Sequence, residues 1–281
     1  MINNQLIDSL ISIALQEDIG EGDHTTLSCI PHELEGRAQL LVKQAGILCG
    51  VEVAKKIYQT FDPTLRIDVL LNDGTPIKKG DVAFTVHGKT ISILQTERLV
   101  LNFMQRLSGI ATQTNEYVKL LEGTNTKILD TRKTTPGMRL LEKYAVTTGG
   151  GENHRIGLYD MILIKDNHID YAGGVTAAIT MTKEYLLYNN LDLKIVVEAR
   201  TMQDIAEILT FTDIYRILID NFTPEQTKEA IAFINGRCKT ESSGGITKES
   251  IRAYAEAGVD YISVGALTHQ IKSLDLSLKA Y

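Results

Sequence analysis

KIVVEARTMQDIAEILTFTDIYRILIDNF, residues 194–222, holds one full period of the fold. An apolar run ending in a carboxylate, KIVVE (194–198), leads into a helical pattern over 201–211. A second run with the same ending, RILID (216–220), follows. Short apolar runs that alternate with helical stretches read as parallel strands joined by right-handed crossovers. The same unit recurs in both directions. KILDT (127–131) and MILIK (161–165) come before it, RCKTES (237–242) and DYISV (260–264) after it. Helical patterns near 137–148, 175–190, 224–235 and 247–257 lie between them. Thr223-Pro224-Glu225-Gln226 is a capping box with proline at the first helical position, and Thr247 is placed as the cap of the last helix. Six such units suit a closed or nearly closed barrel better than an open sheet. No strand is followed by the GxGxxG turn of a dinucleotide fold. The class is α/β.

In a parallel barrel the carboxyl ends of the strands share one rim, and active sites are built there. At that rim the strand candidates carry Arg132-Lys133, Lys165, Glu198, Asp220, Ser242-Ser243 and Gly265. One such residue could serve a fold-stabilising ion pair; six at corresponding positions point to binding. Ser243-Gly244-Gly245 and Val264-Gly265-Ala266 bare backbone N–H groups at the two late loops, where barrels often hold phosphate. Glu198 and Asp220, on adjacent strands, offer the hard oxygen ligands that hold Mg²⁺ beside phosphates. The competing reading pairs them with a nearby cation such as Arg200. The segment 130–168 adds Arg132, Lys133, Arg139, Lys143, His154, Arg155 and Lys165. Cations gathered this closely repel one another unless an anion is bound, so the expected ligand carries several negative charges. Gly149-Gly150-Gly151 permits a tight turn that brings His154 and Arg155 over the rim.

Upstream the pattern changes. Residues 3–19 have apolar side chains at helical spacing, with Asn3 or Asn4 to cap the start and Gly20 to end it. From Ala38 to about Ile93, short apolar runs broken by Gly, Pro, Asn and Asp read as antiparallel strands around one helix, VEVAKKIYQTF. Residues 94–122 read as a long helix with Leu99, Phe103, Leu107 and Ile110 on one face and Arg106 beside it. The expected division is an N-terminal domain 1–108 and a barrel 109–269, with the tail 270–281 able to pack on the first domain. Across 281 residues, 29 basic side chains against 35 acidic ones give a net charge of −6, which argues against general affinity for nucleic acid or an anionic membrane. The start has no basic region followed by an unbroken apolar run, so no signal peptide is expected, and no stretch is apolar enough to span a bilayer. Cys29, Cys49 and Cys238 are odd in number and widely spaced, as reduced thiols of a cytoplasmic protein would be.

EDIGEGDHTT (17–26), ERLVLNFMQRLSGIAT (97–112), LDTRKTTPGMRLLEKYAV (129–146), GGGENHRIGLYDMILIKDNH (149–168), VEAR, LIDNF, ESSGGI and ISVGALTH together resemble the quinolinate phosphoribosyltransferase family over almost the whole chain. The resemblance implies an N-terminal α/β sandwich and an incomplete α/β barrel of six or seven strands. It implies a homodimer whose sites are completed by the neighbour, with a larger assembly left open. The implied reaction joins quinolinate to phosphoribosyl pyrophosphate (PRPP), giving nicotinate mononucleotide, CO₂ and pyrophosphate with Mg²⁺ in de novo NAD biosynthesis. By motif, Arg132, His154, Arg155 and Lys165 would hold quinolinate, with Arg106 reaching in from the partner subunit. Lys133, Glu198, Asp220, Ser243, Gly244, Gly245, Gly265 and His269 would face PRPP. Glu198 and Asp220 would serve Mg²⁺, directly, through water or through PRPP. Thr147 departs from the family's common Arg after KYAV. Two alternatives stay open. One is a phosphoribosyltransferase-like paralogue associated with molybdenum transport, against which Lys165 of LIKDNH argues. The other is a barrel lyase using Lys165 as a Schiff-base amine, which leaves Glu198, Asp220 and both glycine loops unexplained.

Overall fold

The computed structural model describes residues 4–281, so a cap at Asn3 lies outside the described residues. Compactness divides the chain into two units that do not follow chain order. One takes the residues up to Glu116 together with Lys133–Gly150 and Ala266–Tyr281; the other takes Tyr117–Arg132 and Gly151–Gly265.

The first unit is built on a four-stranded antiparallel sheet in the order Leu276–Ala280, Glu35–Val42, Val82–Lys89, Arg66–Val69. The edge strand comes from the end of the chain, with Ala38 opposite Ala280 and Val42 opposite Leu276. Along Glu35–Val42 the buried positions Ala38, Leu40 and Val42 alternate with wetter ones, as a sheet covered on one face requires. Helix Val51–Phe61 buries Val51, Ala54, Ile57 and Tyr58, and the Tyr58 ring meets Phe84 edge-on at 6.2 Å between centroids. The long helix runs Thr90–Leu120, four residues earlier at its start than its apolar spacing suggests.

The second unit holds six parallel strands: Lys127–Leu129, Ile162–Ile164, Ile195–Ala199, Arg216–Asp220, Lys239–Ser243 and Tyr261–Ser263. Their order in the sheet is first, sixth, fifth, fourth, third, second. The last strand therefore lies beside the first, which is the cyclic order of a barrel, and the ladder is open between the first and the second. Chain from the glycine-rich turn lines that opening. Glu152 donates its N–H to Ile128 O at 2.9 Å, and its own carbonyl accepts the Asp130 N–H at 3.2 Å.

Strand side chains alternate between two faces. Ile195, Val197, Ala199, Ile217 and Ile219 join the helices' Ile179, Ile205, Ile208, Ala230 and Ile234 in one apolar layer outside the sheet. Val196, Glu198, Arg216, Leu218 and Asp220 consequently face the interior. Thr223 caps Pro224–Ile234 as expected: its hydroxyl accepts the Gln226 N–H at 3.3 Å, and Gln226 Oε1 accepts the Thr223 N–H at 2.9 Å. Thr247 does not cap a helix. Its N–H is donated to Ser250 Oγ at 3.0 Å within a turn, and the last crossover helix begins only at Ile251. A helix that the apolar spacing did not show, Asp166–Ala172, starts straight after the second strand and is ended by Gly173 at φ +89°. No helix among the described residues is long and apolar enough to cross a membrane.

Candidate active site

Strand register sets the depth of each inward-facing side chain in the second unit. Glu198 lies opposite Leu218, and Leu218 opposite Glu241, so both carboxylates occupy one layer. Asp220 is paired with Ser243 one pleat nearer the rim. Lys165 follows Ile164, which is paired with Val197, and its Nζ lies 4.0 Å from Glu198 Oε2. The Asp166 N–H also reaches Glu198 Oε1, at 3.3 Å. Glu198 is only 5% exposed. Burial pushes its carboxyl above the usual range, and the neighbouring charge of Asp220 adds to this, while Lys165 and the Asp166 N–H oppose it.

Two like charges held together beside a glycine turn suit a divalent cation. Arg200 does not neutralise them: its guanidinium binds Asp170 through two contacts of 2.7 and 3.2 Å. Among the described residues no three His, Cys, Asp or Glu groups are arranged to hold a metal alone. A cation at Glu198 and Asp220 would therefore take its remaining ligands from phosphate oxygens and water, the usual situation for Mg²⁺.

Ser243, Gly244 and Gly245 stand beside this pair. Gly244 has φ +97°, and a Cβ there would lie 2.8 Å from the Asn221 backbone nitrogen and collide with the Asn221 carboxamide. Asn221 itself has φ +59°, gives its N–H to Ser243 O at 2.9 Å and uses its amide to hold Asp220. The two turns interlock because residue 244 has no side chain. Gly245, at φ +61°, faces open space. Glycine at both positions lets the backbone take left-handed turns that other residues resist, the kind of turn that can bare N–H groups to an anion.

Arg155 and His154 come from the chain that fills the open side of the barrel. Both are buried. The His154 N–H is donated to Asp130 Oδ1 at 2.9 Å, the Arg155 N–H to His154 Nδ1 at 2.6 Å, and Arg155 Nη1 to Met161 O at 3.1 Å. Burial pulls the Arg155 pKa below its usual value, and the positive charge of Arg132 adds to this. These two guanidinium groups are therefore close enough to repel, an arrangement that an anion between them would relieve. His154 Nε2 faces Glu241 Oε2 at 3.4 Å, and the same oxygen accepts Arg216 Nη1.

Within the first unit a second group converges. Arg106 donates to buried Glu142 at 2.9 and 2.6 Å and to Thr135 Oγ1 at 2.7 Å. Thr268 Oγ1 donates to Lys133 O at 2.7 Å, which brings the Lys133 stretch beside the short helix Ala266–His269. Of the residues singled out in the sequence, Arg132, His154, Arg155, Lys165, Glu198, Asp220, Ser243, Gly244, Gly245 and Gly265 belong to the second unit. Arg106, Lys133 and His269 belong to the first. Asp130, Glu142, Arg216 and Glu241 were not singled out, although each is buried and charged. For Glu241 the signal was available: it stands two residues before Ser243, in the same phase of the pleat.

Fold and site define a protein of the α/β-barrel class whose rim gathers a carboxylate pair, several cations and a glycine turn. The comparisons narrow this. "Quinolinate phosphoribosyl transferase, C-terminal domain" matches residues 110–279 and the corresponding N-terminal domain matches residues 23–108. A tobacco protein named quinolinate phosphoribosyltransferase [decarboxylating] 1b is 43% identical, over 97% of this chain and 82% of its own. A Bacillus subtilis protein named as a probable nicotinate-nucleotide pyrophosphorylase [carboxylating] is 41% identical, over 99% and 94%. The structure of the nicotinate-nucleotide pyrophosphorylase from Francisella tularensis superimposes with a TM-score of 0.94 at 39% identity, covering 100% of this chain and 98% of the other. The chain belongs to the quinolinate phosphoribosyltransferase family.

Proposed function

We propose that this chain transfers the phosphoribosyl group of PRPP to quinolinate with loss of CO₂, giving nicotinate mononucleotide and pyrophosphate. One observation carries the reading. In a single barrel the carboxylate pair Glu198 and Asp220 adjoins a glycine loop, and the strand ends beside them supply Lys165 and two mutually repelling guanidinium groups. The first set suits a metal-bearing diphosphate; the second suits a dicarboxylate. Neither alternative substrate class is favoured by any feature of the site.

Arg132, Arg155 and Lys165 hold the two ring carboxylates and aim the pyridine nitrogen at ribose C1, so that orientation supplies much of the rate. The Gly244 and Gly245 N–H groups and Ser243 receive phosphate, and Lys133, assigned by motif, meets the departing pyrophosphate. Mg²⁺ at Glu198 and Asp220 would neutralise charge on the leaving oxygens. Loss of CO₂ from carbon 2 leaves an electron pair next to the new ring cation, which stabilises it internally until a proton from solvent takes the place of the lost carboxylate. The chain therefore needs no covalent nucleophile. Two further parts of the reading come from the family resemblance: a homodimer in which Arg106 serves the partner's site, and a place for His269 near PRPP. Free thiols at Cys29, Cys49 and Cys238 suit the reducing cytoplasm.

The substrate is tested by comparing quinolinate with nicotinate under saturating PRPP and Mg²⁺. A lost carboxylate forfeits a charge-assisted bond of roughly 1.5–3 kcal/mol, so nicotinate should react at least ~10-fold worse. Equal turnover of the two acids refutes the dicarboxylate assignment.

A further inference from the structure

Arg216 and Glu241 form a buried charge pair inside the barrel, a position where most barrels place apolar side chains. The Arg216 guanidinium lies 4.1 Å from the Tyr261 ring centroid and 5.2 Å from that of Tyr215. Burial works against ionisation of Glu241, yet His154 and Arg216 outweigh it and hold the carboxyl below its usual range. Burial likewise opposes the charge on Arg216, and Glu241 outweighs it. An interior ion pair adds little net stability when compared with apolar side chains of similar volume. Stability alone is therefore a weak reason for this pair.

What the pair does reach is the rim. Glu241 Oε2, the oxygen bound by Arg216, faces His154 Nε2 at 3.4 Å. On the other side of the ring Nδ1 accepts the Arg155 N–H, so it is Nε2 that bears a ring proton, towards Glu241. Asp130 secures the His154 N–H from the first strand. Nδ1 is thus held by the Arg155 N–H while Nε2 lies within charge-pair range of Glu241, and the imidazole stands between the barrel interior and the backbone of Arg155. The family resemblance implies that His154 meets quinolinate; these contacts give the same ring a second role as support for Arg155.

We propose that Glu241 is a positioning residue for the dicarboxylate end of the site, acting through His154 to fix the Arg155 backbone, with Arg216 holding the Glu241 carboxylate in place. The inference rests on the functional reading above, in which Arg155 binds quinolinate. Glu241→Gln keeps the shape but gives up the charge that holds Arg216 and draws the His154 ring towards it at Nε2. PRPP meets other residues, so the two substrates should respond differently.

The test measures KM for each substrate in wild type and in Glu241→Gln. The quinolinate KM should rise ~10-fold or more and the PRPP KM by less than ~2-fold, with kcat reduced less than the quinolinate kcat/KM. An unchanged quinolinate KM, or equal rises for both substrates, overturns the proposal and leaves the pair purely structural. Should the variant fail to fold, nitrogen-15 spectra of the wild-type histidine rings decide the matter: a neutral His154 protonated on Nε2 supports it, and a proton on Nδ1 overturns it. If wild type does not turn over quinolinate, the functional reading fails, while the ring spectra still decide the Glu241–His154 link.

Discussion

Gly244 and Gly245 are adjacent, both lie at positive φ, and the structure gives them different costs. Alanine at either position must adopt a left-handed backbone, at roughly 1–2 kcal/mol. At Gly245 (φ +61°) nothing lies within 4 Å of the added Cβ, so Gly245→Ala should cost about that amount. At Gly244 (φ +97°) the Cβ would stand 2.8 Å from the Asn221 nitrogen, a backbone atom that cannot rotate away. Relieving that contact parts the Asn221 N–H from Ser243 O, now 2.9 Å apart, and strains the neighbouring Asp220. Such forced shifts cost about 1–3 kcal/mol, so Gly244→Ala should lose that much more than Gly245→Ala. Urea midpoints at unchanged m-value measure the difference directly. Function should divide the other way. Gly245→Ala, folded and only mildly destabilised, should raise the PRPP KM ~10-fold by crowding a charge-assisted phosphate contact. Equal destabilisation by the two variants would refute the interlocked-turn geometry, and an unchanged PRPP KM in Gly245→Ala would refute its place in the phosphate loop.

Burial and Asp220 raise the folded-state pKa of Glu198 above the unfolded value, so folding loses stability as pH rises through that window and keeps it below the ordinary carboxylate range. Glu198→Gln should accordingly raise the melting temperature at pH 7 relative to wild type, with the gap closing below about pH 4 where both groups are neutral, while activity is lost. A lower melting temperature at pH 7 would show that Glu198 is held by a compensating cation instead. Asp220→Asn should raise the Mg²⁺ requirement and the PRPP KM severalfold and leave quinolinate binding nearly intact; unchanged Mg²⁺ dependence would make the pair structural. Arg106→Ala and Lys133→Ala, each nearly inactive alone, should recover about one quarter of wild-type activity when co-refolded, because half of randomly paired dimers are mixed and each mixed dimer has one intact site. No recovery in verified mixed dimers would place Arg106 in its own chain's site.

The sequence was informative wherever function and periodicity coincide. Six apolar runs ending in polar residues carry the strand count, and the cyclic strand order agrees with the barrel they suggest. The Thr223 box is legible because capping is local, within four residues. Thr247 misleads because its local contacts, an N–H on Ser250 Oγ and a carbonyl accepting the Ile251 N–H, close a turn first, and the helix itself runs only from Ile251. The short helix Asp166–Ala172 stays hidden because the loop carries too few apolar residues to show a period. The interior pair Arg216 and Glu241 is invisible to pattern reading, since a charged residue inside a strand looks like an outward-facing one until the register is known. Arg200 illustrates the converse. Two residues from Glu198 in sequence, it turns to Asp170 across thirty positions.

The central claim is chemical and can be tested in one vessel. Purified protein is given quinolinate labelled with carbon-13 in the carbon-2 carboxylate, with PRPP and Mg²⁺, and products are followed by NMR and mass spectrometry. Nicotinate mononucleotide, pyrophosphate and labelled CO₂ should form in equal amounts, with none formed when Mg²⁺ is chelated. Formation of a nucleotide that retains the label, or consumption of PRPP without release of CO₂, would contradict it.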